Sequence, residues 1–129
     1  MKNEIIYTEK ATTPTGPYSQ AIRNGNYVWL AGVCGDDPIT GKIMGDGNMT
    51  IEAKYCMENL KATIEAAGGM MEQITKVRVF VTDIEQMPAF NAVYTQYFKD
   101  GYLPSRIAME ISRLCDGAHL EIEAEGVIG

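Results

Sequence analysis

The chain is poor in the residues that build metal centres and disulfide frameworks. Its 129 residues include one histidine and three cysteines, Cys34, Cys56 and Cys115, an odd and widely spaced set without a Cys-x-x-Cys pair. That argues against a zinc site and against a disulfide scaffold, and free thiols in a reducing compartment account for it. Positive charge is also scarce: 11 lysines and arginines stand against 17 aspartates and glutamates, a formal net charge of −6. The basic residues are scattered, with no interleaved aromatic platform, so an electrostatic nucleic-acid binder is disfavoured. No apolar run approaches a membrane span, and MKNEIIYTEK lacks the apolar core of a secretory signal, so a cytoplasmic location is expected. Internal repeats, low-complexity segments and linkers are missing as well.

What is present is an ordinary globular composition. With 46% hydrophobic residues, a chain of 129 can bury a core as one domain, residues 1–129. Glu4–Thr8 suits a short first strand, and Ala11–Pro17 (ATTPTGP) is a loop. Tyr18–Arg23 and Tyr27–Ala31 flank Asn24-Gly25-Asn26, a strong hairpin signal. Gly35–Asn48 is polar and glycine-rich, but its spacing is not that of a phosphate loop, so it reads as a connection. A helix is expected over about Met49–Ala67, capped by Asn48 or Thr50 and closed by Gly68, with Cys56, Met57, Leu60 and Ile64 as its apolar stripe. Thr75–Val81 alternates, with Val77, Val79 and Val81 on one face. Pro88–Lys99 reads as a second helix burying Phe90, Val93, Tyr94 and Tyr97.

The most informative stretches are the last two. Leu103–Leu114 alternates Ile107, Met109 and Ile111 against Arg106, Ala108, Glu110 and Ser112. Ala118–Val127 alternates Leu120, Ile122 and Ala124 against His119, Glu121, Glu123 and Glu125. The short link Cys115-Asp116-Gly117 suggests a hairpin, which would bring Arg106 and one or more glutamates onto a common polar face. A guanidinium beside a carboxylate can bind an acidic small molecule and direct a proton; a solvated, salt-bridged face is the plainer reading. Strand runs separated by two helices indicate an α+β fold, a single mixed or antiparallel sheet with both helices on one face. The other face would then carry Trp29 or its neighbours, Phe80, Ala108 and a line of charges, a surface that oligomerisation would cover.

In order along the chain, Gly16-Pro17-Tyr18-Ser19-Gln20-Ala21, Leu30-Ala31-Gly32, Glu58-Asn59-Leu60-Lys61-Ala62, Val79-Phe80-Val81-Thr82-Asp83, Phe90-Asn91-Ala92-Val93-Tyr94, Pro104-Ser105-Arg106 and Glu121-Ile122-Glu123-Ala124 resemble the RidA (YjgF/L-PSP) reactive-intermediate deaminases. Each motif alone is weak; their joint order, from about residue 12 to 125, carries the resemblance. It implies a chorismate-mutase-like fold and a homotrimer with sites between subunits. It also implies hydrolysis of 2-imino and enamine acids, released by pyridoxal-phosphate dehydratases, to 2-keto acids and ammonia, with no metal and no cofactor. Arg106 matches the arginine that grips the substrate carboxylate, and Glu121 the glutamate that activates water. Periodicity alone does not choose among Glu121, Glu123 and Glu125. Tyr18 matches a pocket tyrosine, with packing as its alternative role. Gly32 falls where backbone nears the ligand, and Ala108 where backbone is offered to substrate. Asn91 matches a boundary asparagine or else braces its helix. His119 has no counterpart and reads as a surface residue.

Two departures from the family pattern stand out. Ile107-Ala108 replaces the serine and cysteine that commonly follow the arginine; alternation points Ile107 toward the helices and Ala108 to the pocket face, putting pocket shape and substrate range in question. Gly32-Val33-Cys34-Gly35 also differs from the usual pattern, with Cys34 read as a buried inert thiol or, alternatively, a residue at the site. Cys115 stands where a proline is common and reads as affecting only local rigidity. Besides catalysis, two further functions are compatible with the family: a ligand-binding or regulatory trimer without turnover, and an endoribonuclease or translation inhibitor, which the acidic charge disfavours.

Overall fold

A computed structural model gives the fold and describes residues 2–129. The strands are β1 (Glu4–Ile6), β2 (Ala21–Asn24), β3 (Tyr27–Cys34), β4 (Ile74–Val81), β5 (Ser105–Glu110) and β6 (Leu120–Val127). The helices are α1 (Met49–Ala66) and α2 (Met87–Tyr94), with short 3-10 turns between elements. One mixed six-stranded sheet runs β1-β2-β3-β6-β4-β5.

Local chemistry sets the boundaries. The first hairpin turns through Gly25 and Asn26, with Asn24 paired to Tyr27 and Gly25 at φ 60°, where glycine carries no steric cost. Asn48 caps α1 by accepting from the Ile51 N–H at 3.3 Å. Past its end, Gly68 at φ 92° lets the chain reverse. The expected stripe of Cys56, Met57, Leu60 and Ile64 is fully buried against the sheet. Pro88 sits in the first turn of α2, which is shorter than expected: after Tyr94 the chain tightens into a 3-10 turn at Thr95–Tyr97.

Both helices pack on one sheet face, over Val28, Leu30, Val77, Val79, Val81, Leu120, Ile122 and Ala124. The other face carries Trp29, Arg78, Phe80, Glu121, Glu123, Glu125 and, on β5, Ile107 and Met109. Trp29 remains 45% exposed, Ile107 45% and Met109 38%, so this mixed face leaves large apolar side chains uncovered within one chain. Arg78 bridges Glu123 at 2.9 Å and Glu125 at 3.0 Å across it.

The expected terminal hairpin is not formed. β5 runs parallel to β4 at the sheet edge, Val77 opposite Arg106 and Val79 opposite Ala108, joined through the α2 crossover. β6 inserts between β3 and β4, antiparallel to both. Cys115-Asp116-Gly117 is a 3-10 turn inside a longer connection. Two expectations about faces fall with the hairpin. Arg106 and Ala108 share the helix-covered face with Val77 and Val79, and Ala108 packs against the core. Ile107 looks the other way, onto the uncovered face. Arg106 and Glu121 therefore lie on opposite faces of the sheet.

No helix among the described residues is long and apolar enough to cross a membrane. None of their His, Cys, Asp and Glu side chains form a group of three or more placed to hold a metal ion.

Candidate active site

One half of the site is built where β3 ends. Leu30 pairs with Ala124 and Val33 with Ile122, so Ala31 and Gly32 together oppose the single residue Glu123. This β-bulge adds one residue to β3 and shifts its alternation. As a result Cys34, rather than Val33, stands opposite Glu121 on the uncovered face. The Cys34 thiol donates to Glu121 Oε1 at 3.3 Å. Gly32 makes room for the same carboxylate: a Cβ there would lie 2.9 Å from the Glu121 carboxyl carbon and closer still to Oε2.

These residues line a cleft of about 670 Å³ between the loop before β2, the bulge and the start of β6. Tyr18 is on its wall and 52% exposed. Asp36, Asp116, Glu121 and Glu123 also border it, together with Cys115, and none of its lining residues is basic. Burial raises the Asp36 carboxyl above its ordinary value. Burial, and next the Glu121 carboxylate beside it, push the Cys34 thiol up, so it stays protonated and serves as a donor. Cys34 is thus at the candidate site and inert as a nucleophile, joining features of both readings of it.

The other half lies across the sheet at the β5 edge. Arg106 is exposed and donates through Nη1 to Asn91 Oδ1 at 2.8 Å. Its guanidinium carbon stands 4.9 Å from the Tyr94 ring centroid and 6.0 Å from that of Phe90. Asn91 therefore holds the arginine as well as belonging to its helix. Among the described residues no carboxylate pairs with Arg106; the ion pairs involve Arg78, Lys99 and His119. Tyr94 has a buried hydroxyl without a hydrogen-bond partner among the described residues, and burial pushes its phenol up to about 12 against the opposing pull of Arg106. Tyr94 thus presents a neutral ring to the cation.

His119 was expected at the surface without a role. Its side chain is half exposed, yet its backbone N–H donates to Glu52 Oε2 at 2.7 Å and its Nδ1 meets Glu52 Oε1 at 2.8 Å. Glu52 is wholly buried on α1, and this double contact satisfies its carboxylate. A contact spanning 67 residues leaves no local signature in the sequence. The stacking of Arg106 on Tyr94 was equally hidden, because Tyr94 reads as core filler on its helix.

A family model described as Endoribonuclease L-PSP matches residues 8–128. The chain belongs to the L-PSP (RidA) family. A RutC family protein of Pyrococcus abyssi is 42% identical over 124 residues, 96% of each chain. Among L-PSP relatives, the human protein named 2-iminobutanoate/2-iminopropanoate deaminase is 34% identical over 125 residues, 97% of this chain and 90% of that one. The fold is that of solved L-PSP structures. A Thermotoga maritima protein described as a putative endoribonuclease superposes with a TM-score of 0.93 at 36% identity, covering 100% of this chain and 99% of the other. E. coli TdcF with bound serine gives 0.91 at 35% identity, covering 98% and 99%.

Proposed function

We propose that the chain assembles as a homotrimer in which Arg106 of one copy enters the Glu121 cleft of the next, and that this composite site hydrolyses 2-imino acids to 2-keto acids and ammonia in the cytoplasm. The observation that carries the reading is a mismatch of charge. Arg106 is held and stacked but has no carboxylate among the described residues, while of the cleft's four carboxylates only Glu123 has a cation, Arg78, beside it. Each half lacks what the other offers, and the uncovered face, with Trp29, Ile107 and Met109 exposed among its charges, supplies the surface over which copies would meet. A relative named as an imine deaminase and another whose structure carries serine support a small amino-acid-like ligand.

The chemistry follows from the groups. Two parallel guanidinium N–H donors fit a substrate carboxylate, and Asn91 and Tyr94 hold the fork in place. The acidic wall favours the cationic iminium end. Glu121 takes a proton from a water as the water oxygen adds to the iminium carbon, giving a tetrahedral aminoalcohol. Glu121 hands that proton to the nitrogen, the C–N bond breaks, ammonia leaves with the bond pair, and the hydroxyl gives its proton back to Glu121 as its oxygen becomes the keto oxygen. A protonated imine is already electrophilic, so the sequence needs no redox step. Tyr18 on the wall supplies a hydroxyl to substrate or water, and Ala108, packed behind Arg106 on β5, contributes through its backbone. An RNA substrate fits this reading poorly, because the cleft's carboxylates repel phosphodiesters.

The test couples the protein to a threonine dehydratase and follows 2-ketobutyrate release. Faster release supports the deaminase; no acceleration on either threonine- or serine-derived imines would move the assignment to a binding trimer without turnover. Gly32→Ala supplies a finer test. The obstacle it creates is the end of a flexible side chain, so the protein should fold while Glu121 is displaced. Turnover is expected to drop on the order of 10-fold, since misplacing a reacting group by about an ångström is costly. Unchanged turnover would separate the Gly32 contact from catalysis.

A further inference from the structure

We propose that Cys34 is a positioning residue for Glu121, fixing which carboxylate oxygen faces the reacting water. The inference rests on the reading of Glu121 as the base.

The bulge at Ala31-Gly32 is what brings the two side chains together. Continued in the register of Leu30 and Ala124, β3 would set Val33 opposite Glu121 and offer it only an aliphatic surface. The extra residue instead presents a thiol. A carboxylate accepts and does not donate, so the 3.3 Å contact is an S–H donated to Oε1. Oε2 lies against Gly32, where a Cβ would overlap it. One oxygen is tied and the other rests over the open backbone, so rotation of the carboxylate about its last bond is restrained. Oε2 keeps its lone pairs for water.

The thiol itself is rigidly held. The Cys34 carbonyl accepts from Asn59 Nδ2 at 3.0 Å, and the same amide reaches the Asp36 carbonyl at 2.9 Å. The buried Cys56 thiol donates to the Val33 carbonyl at 3.3 Å. Two side chains of α1 thus pin the backbone that leaves the bulge, from Val33 to Asp36. A donor anchored in the core can define the direction of a partly exposed carboxylate in a way a loop side chain cannot. Burial, and next the neighbouring Glu121 carboxylate, raise the thiol's pKa and so favour its protonated, donating form.

Cys34→Val removes the donor and suits a strand. It is expected to lower kcat about 5- to 10-fold, the scale of one modest hydrogen bond, with KM within about twofold. Cys34→Ser, which restores a donor, is expected to recover most of the loss. A second readout is independent of turnover: the Raman S–H band assigned to Cys34, by its loss in Cys34→Val, should move to higher frequency in Glu121→Ala. A kcat unchanged in Cys34→Val, or a loss that serine does not recover, would overturn the positioning role. If the wild type hydrolyses no imine, the functional reading fails, and the band alone decides the contact: a band unmoved by Glu121→Ala overturns it.

Discussion

Arg106→Ala is expected to lower kcat/KM for imine hydrolysis by on the order of 10²–10³-fold while leaving a folded protein. A carboxylate gripped through two charge-assisted hydrogen bonds in a partly dry site loses about 3–4 kcal/mol when the guanidinium is removed. The fold should survive because the side chain is exposed, pairs with no carboxylate among the described residues, and gives up one hydrogen bond, to Asn91, and its ring contacts with Tyr94 and Phe90. Arg106→Lys should recover little, since an ammonium cannot present two parallel donors. Far-UV circular dichroism and the elution volume should match the wild type. A variant that loses its fold would make the arginine structural and remove the central support for a carboxylate substrate.

Glu121→Gln is expected to show the second large effect, a fall in kcat of about 10²–10³-fold, the range a general base contributes. The amide keeps the size of the side chain and can still accept from Cys34, so binding should persist with KM little changed. Loss confined to kcat identifies a group needed in the transition state rather than in the ground state. Parallel substitutions of Glu123 and Glu125 should be milder, because both carboxylates are already engaged by Arg78. Equal losses at Glu123 would mean that the cleft acts through its total charge and that Glu121 has no individual role.

The parts of the fold legible in the sequence are those whose burial is settled inside one chain. β4 and β6 alternate because their inner faces meet α1 and α2 and their outer faces do not, and the valines of β4 read out that asymmetry directly. The first hairpin is written in Asn24-Gly25-Asn26, and α1 in its cap, stripe and closing glycine. The errors cluster on β5. Ile107 and Met109 look like the buried side of a strand, since apolar residues at alternate positions are the usual mark of a core. Here they lie on the uncovered face, while the core side carries Arg106, Ala108 and Glu110 at the sheet edge. One chain's sequence does not distinguish an apolar face covered by its own helices from one awaiting another molecule. Sequence adjacency likewise favoured pairing β5 with β6, and the α2 crossover placed β5 beside β4 instead.

For the candidate site, the sequence offers residue types and motif order but not geometry. Arg106 and Glu121 are both where the motifs put them in the chain, yet the sheet keeps them on opposite faces. That separation turns the expectation of a site between subunits into a geometric requirement of the proposed mechanism. The bulge left only a faint trace, a glycine inside a strand pattern, and nothing local marks that it rotates Cys34 onto Glu121.

The most direct measurement follows from that requirement. Arg106→Ala and Glu121→Gln are purified separately, each inactive, then mixed under conditions that let subunits exchange. In a ring of copies meeting head to tail, a random equal mixture leaves about one quarter of the interfaces with both groups intact, so activity should return to about one quarter of wild type. No recovery after exchange has been verified would contradict a site shared between copies and, with it, the pairing of Arg106 and Glu121.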